Sequence, residues 1–279
     1  MTVIDSPRNA AIQAAIGLRD RRDREATGMT LVDGARECYR AVASGVAVET
    51  AFICRDLVRP GDGAATIDAL RSRGARITEV SQRAFERLAF GDRADGIVLV
   101  VRPPEAGLAT LAARRVPGRD GSTDDPPLLL VTEDVEKPGN LGAILRTADA
   151  AGVSGVIAIG GTDLWNPNVI RASVGTVFSV PVAASSADEA IAWLRGQAIR
   201  IVAARVEAPF DYAAADLTGP LALVLGSEAE GLSAAWHGPG IEGIHLPMHG
   251  IADSLNVSAT AAILAYEARR QRTVAGGTA

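Results

Sequence analysis

The chain has 279 residues, of which 48% are hydrophobic and 22% charged, so it can bury a core and is too apolar to stay disordered. Its length favours two domains, and its apolar runs fall short of the roughly 18 residues that a membrane span needs. The N-terminus lacks the basic and then apolar order of a secretory signal, and two cysteines indicate neither a disulfide framework nor a metal cluster. A cytoplasmic enzyme or binding protein is therefore expected.

Charge is unevenly divided along the chain. Residues 1–126 hold 19 arginines, no lysine and 18 acidic residues, whereas residues 127–279 hold 9 basic and 15 acidic residues. A net charge of −5 argues against nucleic-acid binding through overall charge. Two local arginine clusters remain, and each is either an RNA-contacting edge or a solvated face. They are Arg19, Arg21, Arg22 and Arg24, and Arg71, Arg73 and Arg76.

The first hundred residues alternate helical and extended patterns, which predicts a small α/β domain. The predicted helices are 9–20, 35–43, 64–73 and 81–88, the last with Ser81 as its cap. The predicted strands are 29–32, 51–54, 77–80 and 96–101.

Residues 102–127 are dense in proline, glycine and acidic residues, a composition typical of a linker. The predicted division is an N-terminal domain over residues 1–105, a linker over 106–126 and a C-terminal domain over 127–279.

The C-terminal domain alternates strands and helices, which predicts a parallel sheet with helices on both faces. Ligands of such sheets bind beyond the carboxyl ends of the strands. The predicted strands are 128–132, 155–159, 178–180, 200–204, 221–225 and 244–246. The predicted helices are 141–151, 167–173, 187–195 and 257–271.

One glycine pattern resembles a dinucleotide-binding loop but stands in the wrong context. Gly238, Gly240 and Gly243 have the required spacing, yet Pro239 interrupts them and an extended segment follows. Such a loop must instead open a helix, so a dinucleotide site is not expected.

The three histidines fall within thirteen residues but do not predict a metal site. His245 and His249 have the spacing of a helical ligand pair, and Pro247 between them disfavours a helix. A metal site in the loop is the remaining alternative, and no metal is expected.

The first segment with chemical content is E-K-P-G-N-L-G-A-I-L-R-T-A-D-A-A-G, residues 136–152. Asn140 lies where a helix N-cap is expected, and Ile144, Leu145 and Ala148 form an apolar stripe. Arg146 is therefore either an ordinary surface arginine or a guanidinium that faces an anion.

The second segment is L-A-L-V-L-G-S-E-A-E-G-L-S, residues 221–233. Its strand ends at Gly226, where the missing side chain allows a ligand to approach the backbone. Glu228 and Glu230 follow, so the turn is either a ligand site or a simple polar connection.

The third segment, residues 244–272, runs from a strand through a polar loop into a long helix. Ser254, Leu255 and Asn256 stand at the entrance of that helix, where they either cap it or contribute to a site. The helix carries three arginines that complement its carboxyl-terminal dipole and one apolar face. The arginines are Arg269, Arg270 and Arg272, and the face is Val257, Ala261, Leu264, Ala265 and Ala268.

In order and content, these segments resemble the three motifs of the SpoU family of RNA ribose 2′-O-methyltransferases, in the SPOUT superfamily. The matching patterns are N-L-G-x-x-x-R-T-A at 140–148, L-G-S-E-x-E-G-L at 225–232 and L-P-M…S-L-N-V-S-x-x-x-A at 246–262. Residues 6–34 resemble the substrate-binding domain that precedes many members. One departure is visible, because relatives often carry Ala-Thr where this chain has Ala203 and Ala204.

The resemblance implies S-adenosylmethionine held in a trefoil knot of the parallel-sheet domain, and a homodimer with the active site at its interface. It implies Arg146 as the catalytic arginine. The other polar site residues that it implies are Asn140, Glu228, Ser254 and Asn256. The cofactor contacts that it implies are Gly226, Leu246 and Leu255.

The expected reaction is methyl transfer to a ribose 2′-hydroxyl of RNA, with ribosomal RNA of the 23S type as the expected substrate. A tRNA methyltransferase and a non-catalytic RNA-binding dimer on the same scaffold are the alternatives. A base methyltransferase is a further alternative, against which the N…R and S-L-N patterns favour the ribose.

Overall fold

A computed structural model of the chain describes residues 3–90, 94–113 and 125–276. The chain divides into two compact units. The first unit contains residues 1–104 together with 165–179, and the second contains residues 105–164 and 180–279. A segment of the predicted C-terminal domain therefore belongs to the first unit.

Helices and strands alternate along the chain, which confirms the predicted α/β class. The helices are α1 (Ala10–Gly17), α2 (Arg21–Thr27), α3 (Ala35–Ala43), α4 (Asp62–Ser72), α5 (Gln82–Leu88), α6 (Leu108–Ala113), α7 (Pro138–Ala150), α8 (Pro167–Ala172), α9 (Ala187–Gly196) and α10 (Val257–Gly276). The strands are β1 (Thr30–Asp33), β2 (Ala47–Ile53), β3 (Ile77–Glu79), β4 (Ile97–Arg102), β5 (Leu128–Glu133), β6 (Gly155–Ile159), β7 (Val182–Ser185), β8 (Arg200–Ala204), β9 (Phe210–Asp211), β10 (Leu221–Leu225) and β11 (Ile241–His245).

The first unit is built on a four-stranded sheet in the order β1-β4-β2-β3, in which β2 and β3 run parallel and the other pairs antiparallel. Helices α1 and α5 contribute Ile12 and Phe85 to a core that also holds Leu31, Phe52 and Val98 of the strands. Burial of these side chains is the main force that holds the helices on the sheet. Ser81 caps α5, as predicted, by accepting a hydrogen bond from the Ala84 amide.

The predicted helix over residues 9–20 ends at Gly17 and is followed by α2, which the sequence pattern missed. Arg24 explains the break, because its Nη1 donates to the carbonyls of Leu18 and Arg19 at 3.0 and 2.8 Å. Those carbonyls lie past the end of α1, where they have no helical partner. The guanidinium of Arg24 thus stabilises the turn between the two helices.

The arginine cluster at residues 19–24 is partly internal to the first unit, so as a whole it fits neither predicted alternative, the RNA-contacting edge or the solvated face. Arg24 is only 6% exposed. Arg19 donates to the carbonyls of Arg87, Leu88 and Ala89 and lies 5.4 Å from the centre of the Phe90 ring. Burial lowers the pKa of Arg19, the neighbouring Asp33 opposes that shift, and Arg87 adds to it. Two of these four arginines therefore serve packing.

The predicted strand at residues 178–180 is wrong. Phe178 lies in a 3₁₀ helix, Thr176–Phe178, and the strand begins later, at Val182. The Phe178 ring stacks on Trp165 with 5.8 Å between ring centres, and Phe178 is 1% exposed. A short buried apolar run has the same appearance in a strand and in a packed turn, so its sequence could not distinguish the two.

The second unit contains a seven-stranded sheet in the order β7-β6-β5-β10-β8-β11-β9, with every pair parallel. Helix α9 and Leu111 of α6 pack on one face, over Leu129 and Val131 of β5. Helices α7 and α10 contact each other and the sheet from the opposite side. A parallel sheet with helices on both faces is thus confirmed. All five residues assigned to the apolar face of α10 are buried.

Helix α6 lies within the residues predicted to form the linker, and its Leu111 is 5% exposed. Leu111 therefore belongs to the core of the second unit, and residues 114–124 of the predicted linker lie outside the described residues.

The arginines at the end of α10 do more than complement a helix dipole. Arg272 is 8% exposed and donates to the carbonyls of Pro126, Leu217 and Gly219. Burial lowers its pKa to about 10, Asp125 opposes that shift, and Arg269 adds to it. Arg272 thus connects the end of α10 to the loops before β5 and β10.

Across the described ranges, no helix is both long and apolar enough to cross a membrane.

Candidate active site

The carboxyl ends of four neighbouring strands form one edge of the parallel sheet. Strands β5, β10, β8 and β11 lie side by side in that order. Because they are parallel, the segments that follow them meet at the same edge. This is where the three motifs predicted to carry the chemistry come together.

A cavity of about 530 Å³ lies beyond three of these strand ends. Its wall includes Arg205 after β8, Gly226 after β10 and Leu246 after β11. Ser254 and Leu255, in the loop before α10, complete that side. The volume is within the range of roughly 300–1,000 Å³ that is usual for small-molecule sites. Gly226, Leu246 and Leu255, which the resemblance implies as cofactor contacts, thus line one cavity.

Gly226 is required because the following loop folds back onto it. A Cβ atom at this position would meet the carbonyl of Gly231 and would lie 2.6 Å from the Leu232 nitrogen. Ser227 and Gly231 also exchange backbone hydrogen bonds of 3.0 and 3.2 Å, and Gly231 has a φ of 69°. Two glycines therefore allow a tight loop at the end of β10.

Four side chains, from all three motifs, form a hydrogen-bonded group that we call the Glu228 cluster: Lys137, Asn140, Glu228 and Asn256. Lys137 Nζ lies 2.8 Å from Glu228 Oε2. Asn140 and Asn256 each donate an amide hydrogen to Oε1 of Glu228, at 3.0 and 2.5 Å. Asn256 also donates to the Asn140 amide oxygen at 3.2 Å. The cluster joins the starts of α7 and α10 to the loop after β10.

The electrostatics of the cluster keep Glu228 ionised. Its pKa is lowered first by the hydrogen bond from Lys137, with further contributions from Asn140 and the Val257 amide. The same contact raises the pKa of Lys137. An anion at the first amides of α10 is also favoured by the helix dipole.

Asn140 is not a helix N-cap, which corrects the sequence prediction. Helix α7 begins at Pro138, and Lys137 takes the capping position without a side-chain cap bond. Proline is well suited to the first turn of a helix because it lacks an amide hydrogen. The Asn140 side chain is thereby left to bond Glu228. Asn256, in contrast, caps α10 and accepts hydrogen bonds from the Ser258 amide and hydroxyl.

Arg146 stands apart from the cluster. It follows Asn140 by six residues on α7, about 9 Å along the helix axis, and its side chain is exposed. It does not line the cavity, and within the described chain it has no hydrogen bond or ion pair. Ser254 lines the cavity without a side-chain partner among the described residues. The structure thus joins Asn140, Glu228 and Asn256 directly and leaves Arg146 and Ser254 available.

Sequence reasoning missed two basic residues of this region. Lys137, the only lysine in the chain, lies in the first segment, three residues before the motif that begins at Asn140, and its sequence position alone predicts no role. Arg205 directly follows β8, and its place at the carboxyl end of a strand in a parallel sheet was the available signal.

The histidines do not gather with other ligands. His237 Nδ1 lies 2.7 Å from Nη1 of Arg205. Nowhere in the described part of the chain do three or more His, Cys, Asp and Glu side chains come together as a metal ion would require.

The geometry defines an α/β protein with a small-molecule cavity at the carboxyl edge of its parallel sheet and a polar cluster beside it. Residues 127–266 match the model of the SpoU rRNA methylase family, and residues 9–99 match that of the MRM3-like substrate-binding domain. The chain belongs to the SpoU rRNA methylase family.

Individual relatives match this chain over at least nine tenths of their length. A 23S rRNA (uridine(2479)-2′-O)-methyltransferase from Streptomyces viridochromogenes is 32% identical, over 96% of this chain and 90% of the relative. A 23S rRNA (guanosine(2553)-2′-O)-methyltransferase from Bacillus subtilis is 27% identical, over 96% and 100%. The crystal structure of the SpoU methyltransferase AviRb from Streptomyces viridochromogenes with AdoMet has a TM-score of 0.81 and 30% identity, over 95% of this chain and 100% of that one.

Proposed function

We propose that this protein transfers a methyl group from S-adenosylmethionine to a ribose 2′-hydroxyl of 23S-type ribosomal RNA. The observation that carries this proposal is the convergence of the three motif segments on Glu228, beside a cavity at the strand ends. The relatives named above are 23S rRNA 2′-O-methyltransferases, and the neighbouring AviRb structure holds AdoMet. A ribosomal substrate also agrees with the cytoplasmic location expected from the sequence.

The residues present fit S-adenosylmethionine. Gly226 leaves the backbone of its loop open to close approach, and Leu246 and Leu255 offer apolar surface in the wall of the same cavity. These three residues would hold S-adenosylmethionine. The cofactor would supply the methyl group, which its own sulfonium activates for transfer. The trefoil knot implied by the resemblance stays a prediction.

Arg146 is suited to the acceptor RNA. Its guanidinium is exposed and has no partner within the described chain, so it is free to bind phosphate through its planar fork. Because arginine stays protonated, we assign it a role in stabilising the alkoxide that develops at the 2′-oxygen. Ser254, which faces the cavity, would position the ribose or the cofactor.

The Glu228 cluster acts by positioning. It links the helix that carries Arg146 to the loop after β10 and to the start of α10 through charged and amide hydrogen bonds. Such links hold reacting groups in alignment, which contributes several kcal/mol to a displacement reaction.

A homodimer would complete the site. Arg146 does not reach the cavity of its own chain, so the arginine of a second protomer is the candidate for that place. Exposed apolar side chains support an interface at this end of the unit. Ile263 and Tyr266 on α10 are 38% and 52% exposed, and Ile251 in the preceding loop is fully exposed. Burying them would favour association.

The first unit, which contains the region matching a substrate-binding domain, is assigned to RNA reading. Arg22, Arg76 and Arg83 are exposed in this unit and have no ion-pair partner among the described residues. They replace Arg19 and Arg24 as candidate phosphate contacts.

Two measurements test the proposal. Calorimetric titration with S-adenosylmethionine in the presence of a chelator should show binding, because no metal is required. Mapping of 2′-O-methyl positions in ribosomal and transfer RNA, with and without the gene, should show one 23S site that depends on the protein. A site in tRNA, a methylated base, or RNA binding without methylation would each overturn the proposed reaction.

A further inference from the structure

The segment that follows β8 forms part of the wall of the cavity. Ala203 and Ala204 end the strand, so no side-chain hydroxyl is available there. The next residue, Arg205, lines the cavity. Its amide donates to the Ile244 carbonyl at 2.9 Å, which fixes its backbone to β11.

The Arg205 side chain is held in one place. Its guanidinium lies directly over Gly243 of β11, where a Cβ atom would meet Nη2 and would be 3.0 Å from Cζ. Nη1 lies 2.7 Å from Nδ1 of His237. Because a guanidinium has only donors and no acceptor atom, Nη1 donates this hydrogen bond and His237 accepts it. The side chain is 15% exposed. Gly243, part of the rejected dinucleotide pattern, thus has a structural reason to be glycine.

Part of the guanidinium remains without a hydrogen-bond partner. Nε of Arg205 is buried and has no hydrogen bond to any described residue. The nearest carboxylate, of Glu207, is 3.8 Å away and 67% exposed. A buried donor without a partner is costly, so the described chain does not fully satisfy this guanidinium by itself.

The charges around the cavity indicate which ligand group belongs there. The wall carries several carboxylates, and among the described residues that line it Arg205 is the only arginine or lysine. The acidic residues of the wall are Glu207, Glu228, Glu230 and Asp253. The methionine part of S-adenosylmethionine has a sulfonium, an ammonium and one carboxylate. The two cations suit the acidic wall, and the carboxylate suits the guanidinium.

We propose that Arg205, positioned by Gly243 and His237, binds the carboxylate of the cofactor in this protein. The proposal rests on the proposed function, since it takes S-adenosylmethionine as the ligand.

Paired titrations of the full chain test this assignment. S-adenosylhomocysteine keeps the carboxylate, whereas 5′-methylthioadenosine has the same adenosine and thioether but lacks the amino-acid end. Arg205→Ala should weaken S-adenosylhomocysteine binding about 10- to 100-fold, the usual effect of losing a charged hydrogen bond, and leave 5′-methylthioadenosine binding unchanged. An equal loss for both ligands, or no loss for either, would overturn the assignment.

Two further variants separate position from charge. Gly243→Ala keeps every charge but displaces the Arg205 guanidinium. It should therefore weaken the binding of S-adenosylhomocysteine and leave the binding of 5′-methylthioadenosine unchanged. An unchanged affinity for S-adenosylhomocysteine would overturn the positioning role of Gly243. Arg200→Ala is the matched control, because Arg200 begins the same strand, lies outside the cavity and pairs with Asp216 and Glu242. It should change neither affinity, and a selective loss for this variant would overturn the assignment to Arg205. If the unaltered protein binds neither ligand, the proposed function itself fails.

Discussion

The carboxylate of Asp33 accepts a hydrogen bond from Nη1 of Arg171 at 3.1 Å, across 138 residues of sequence. Asp33 ends β1, and Arg171 lies on α8, which the family match assigns to the methylase region. The Trp165 carbonyl also accepts from the hydroxyl of Thr30 at 2.6 Å. The segment 165–179 is therefore built into the first unit, and cutting the chain at residue 127 would remove its packing partners.

Asp33 should make stability depend on pH. Burial raises its pKa to about 6, an effect that the Phe90 amide and Arg171 oppose. Because the unfolded carboxyl titrates near 4, the folded state holds one more proton between about pH 4 and 6. The contribution of Asp33 is thus fully present below pH 4 and is lost as the pH rises through 6, by about 3 kcal/mol at most. The measurement is urea unfolding of wild type and Asp33→Asn from pH 4 to 8. The free energy of unfolding of wild type minus that of Asp33→Asn should fall as the pH rises from 4 to 8, and a difference that does not fall would contradict the prediction.

Arg146→Ala should lose about 100- to 1,000-fold in methyl-transfer rate, as expected for an electrostatic stabiliser of the transition state. Its affinity for S-adenosylmethionine should stay within a few-fold of wild type, because Arg146 does not line the cavity. Arg146→Lys should recover little, since an ammonium cannot reproduce the planar fork. Single-turnover transfer of labelled methyl to RNA, paired with cofactor titration, checks this. A loss of rate that only follows a loss of cofactor affinity would make Arg146 structural.

Two inactive variants should complement each other if the site is shared between protomers. Gly226→Ala should disable the cavity of its own chain, because the added Cβ meets the backbone of Gly231 and Leu232. A heterodimer with Arg146→Ala then retains one complete site, so about half of the wild-type turnover is expected after purification through two different tags. The separate homodimers serve as controls. No recovery in the heterodimer would mean that each chain supplies its own arginine.

Arg22 and Arg24 should behave oppositely despite their proximity. Arg22 is exposed, whereas Arg24 is buried and bonds two carbonyls. Arg22→Ala should weaken RNA binding and reduce the slope of log affinity against log salt by about one, with stability unchanged. Arg24→Ala should instead lower the free energy of unfolding by about 2 kcal/mol, since it leaves carbonyls without a partner. RNA titrations at several salt concentrations and urea unfolding of both variants test these two expectations. Equal effects on RNA binding would restore the cluster as one contact surface.

The sequence by itself determined the elements whose signal is local. Strands β6, β8 and β10 have the predicted bounds because continuous apolar runs ended by turn residues admit few alternatives. The buried face of α10 follows from helical spacing alone. The three motifs, and with them the family, were likewise readable as linear patterns.

Only the tertiary structure decided which polar groups meet. Glu228 lies 91 residues from Lys137 along the chain, and Arg205 rests on a glycine of the neighbouring strand. Arg19 and Arg24 look like surface charges in the sequence, yet they bond carbonyls that become partnerless only when the helices end and pack. Buried apolar residues recur with the period of the helix or strand, so the sequence alone predicts them. Hydrogen bonds instead depend on distances of about 3 Å between groups that are remote in sequence. Those distances exist only after the sheet has aligned its strand ends.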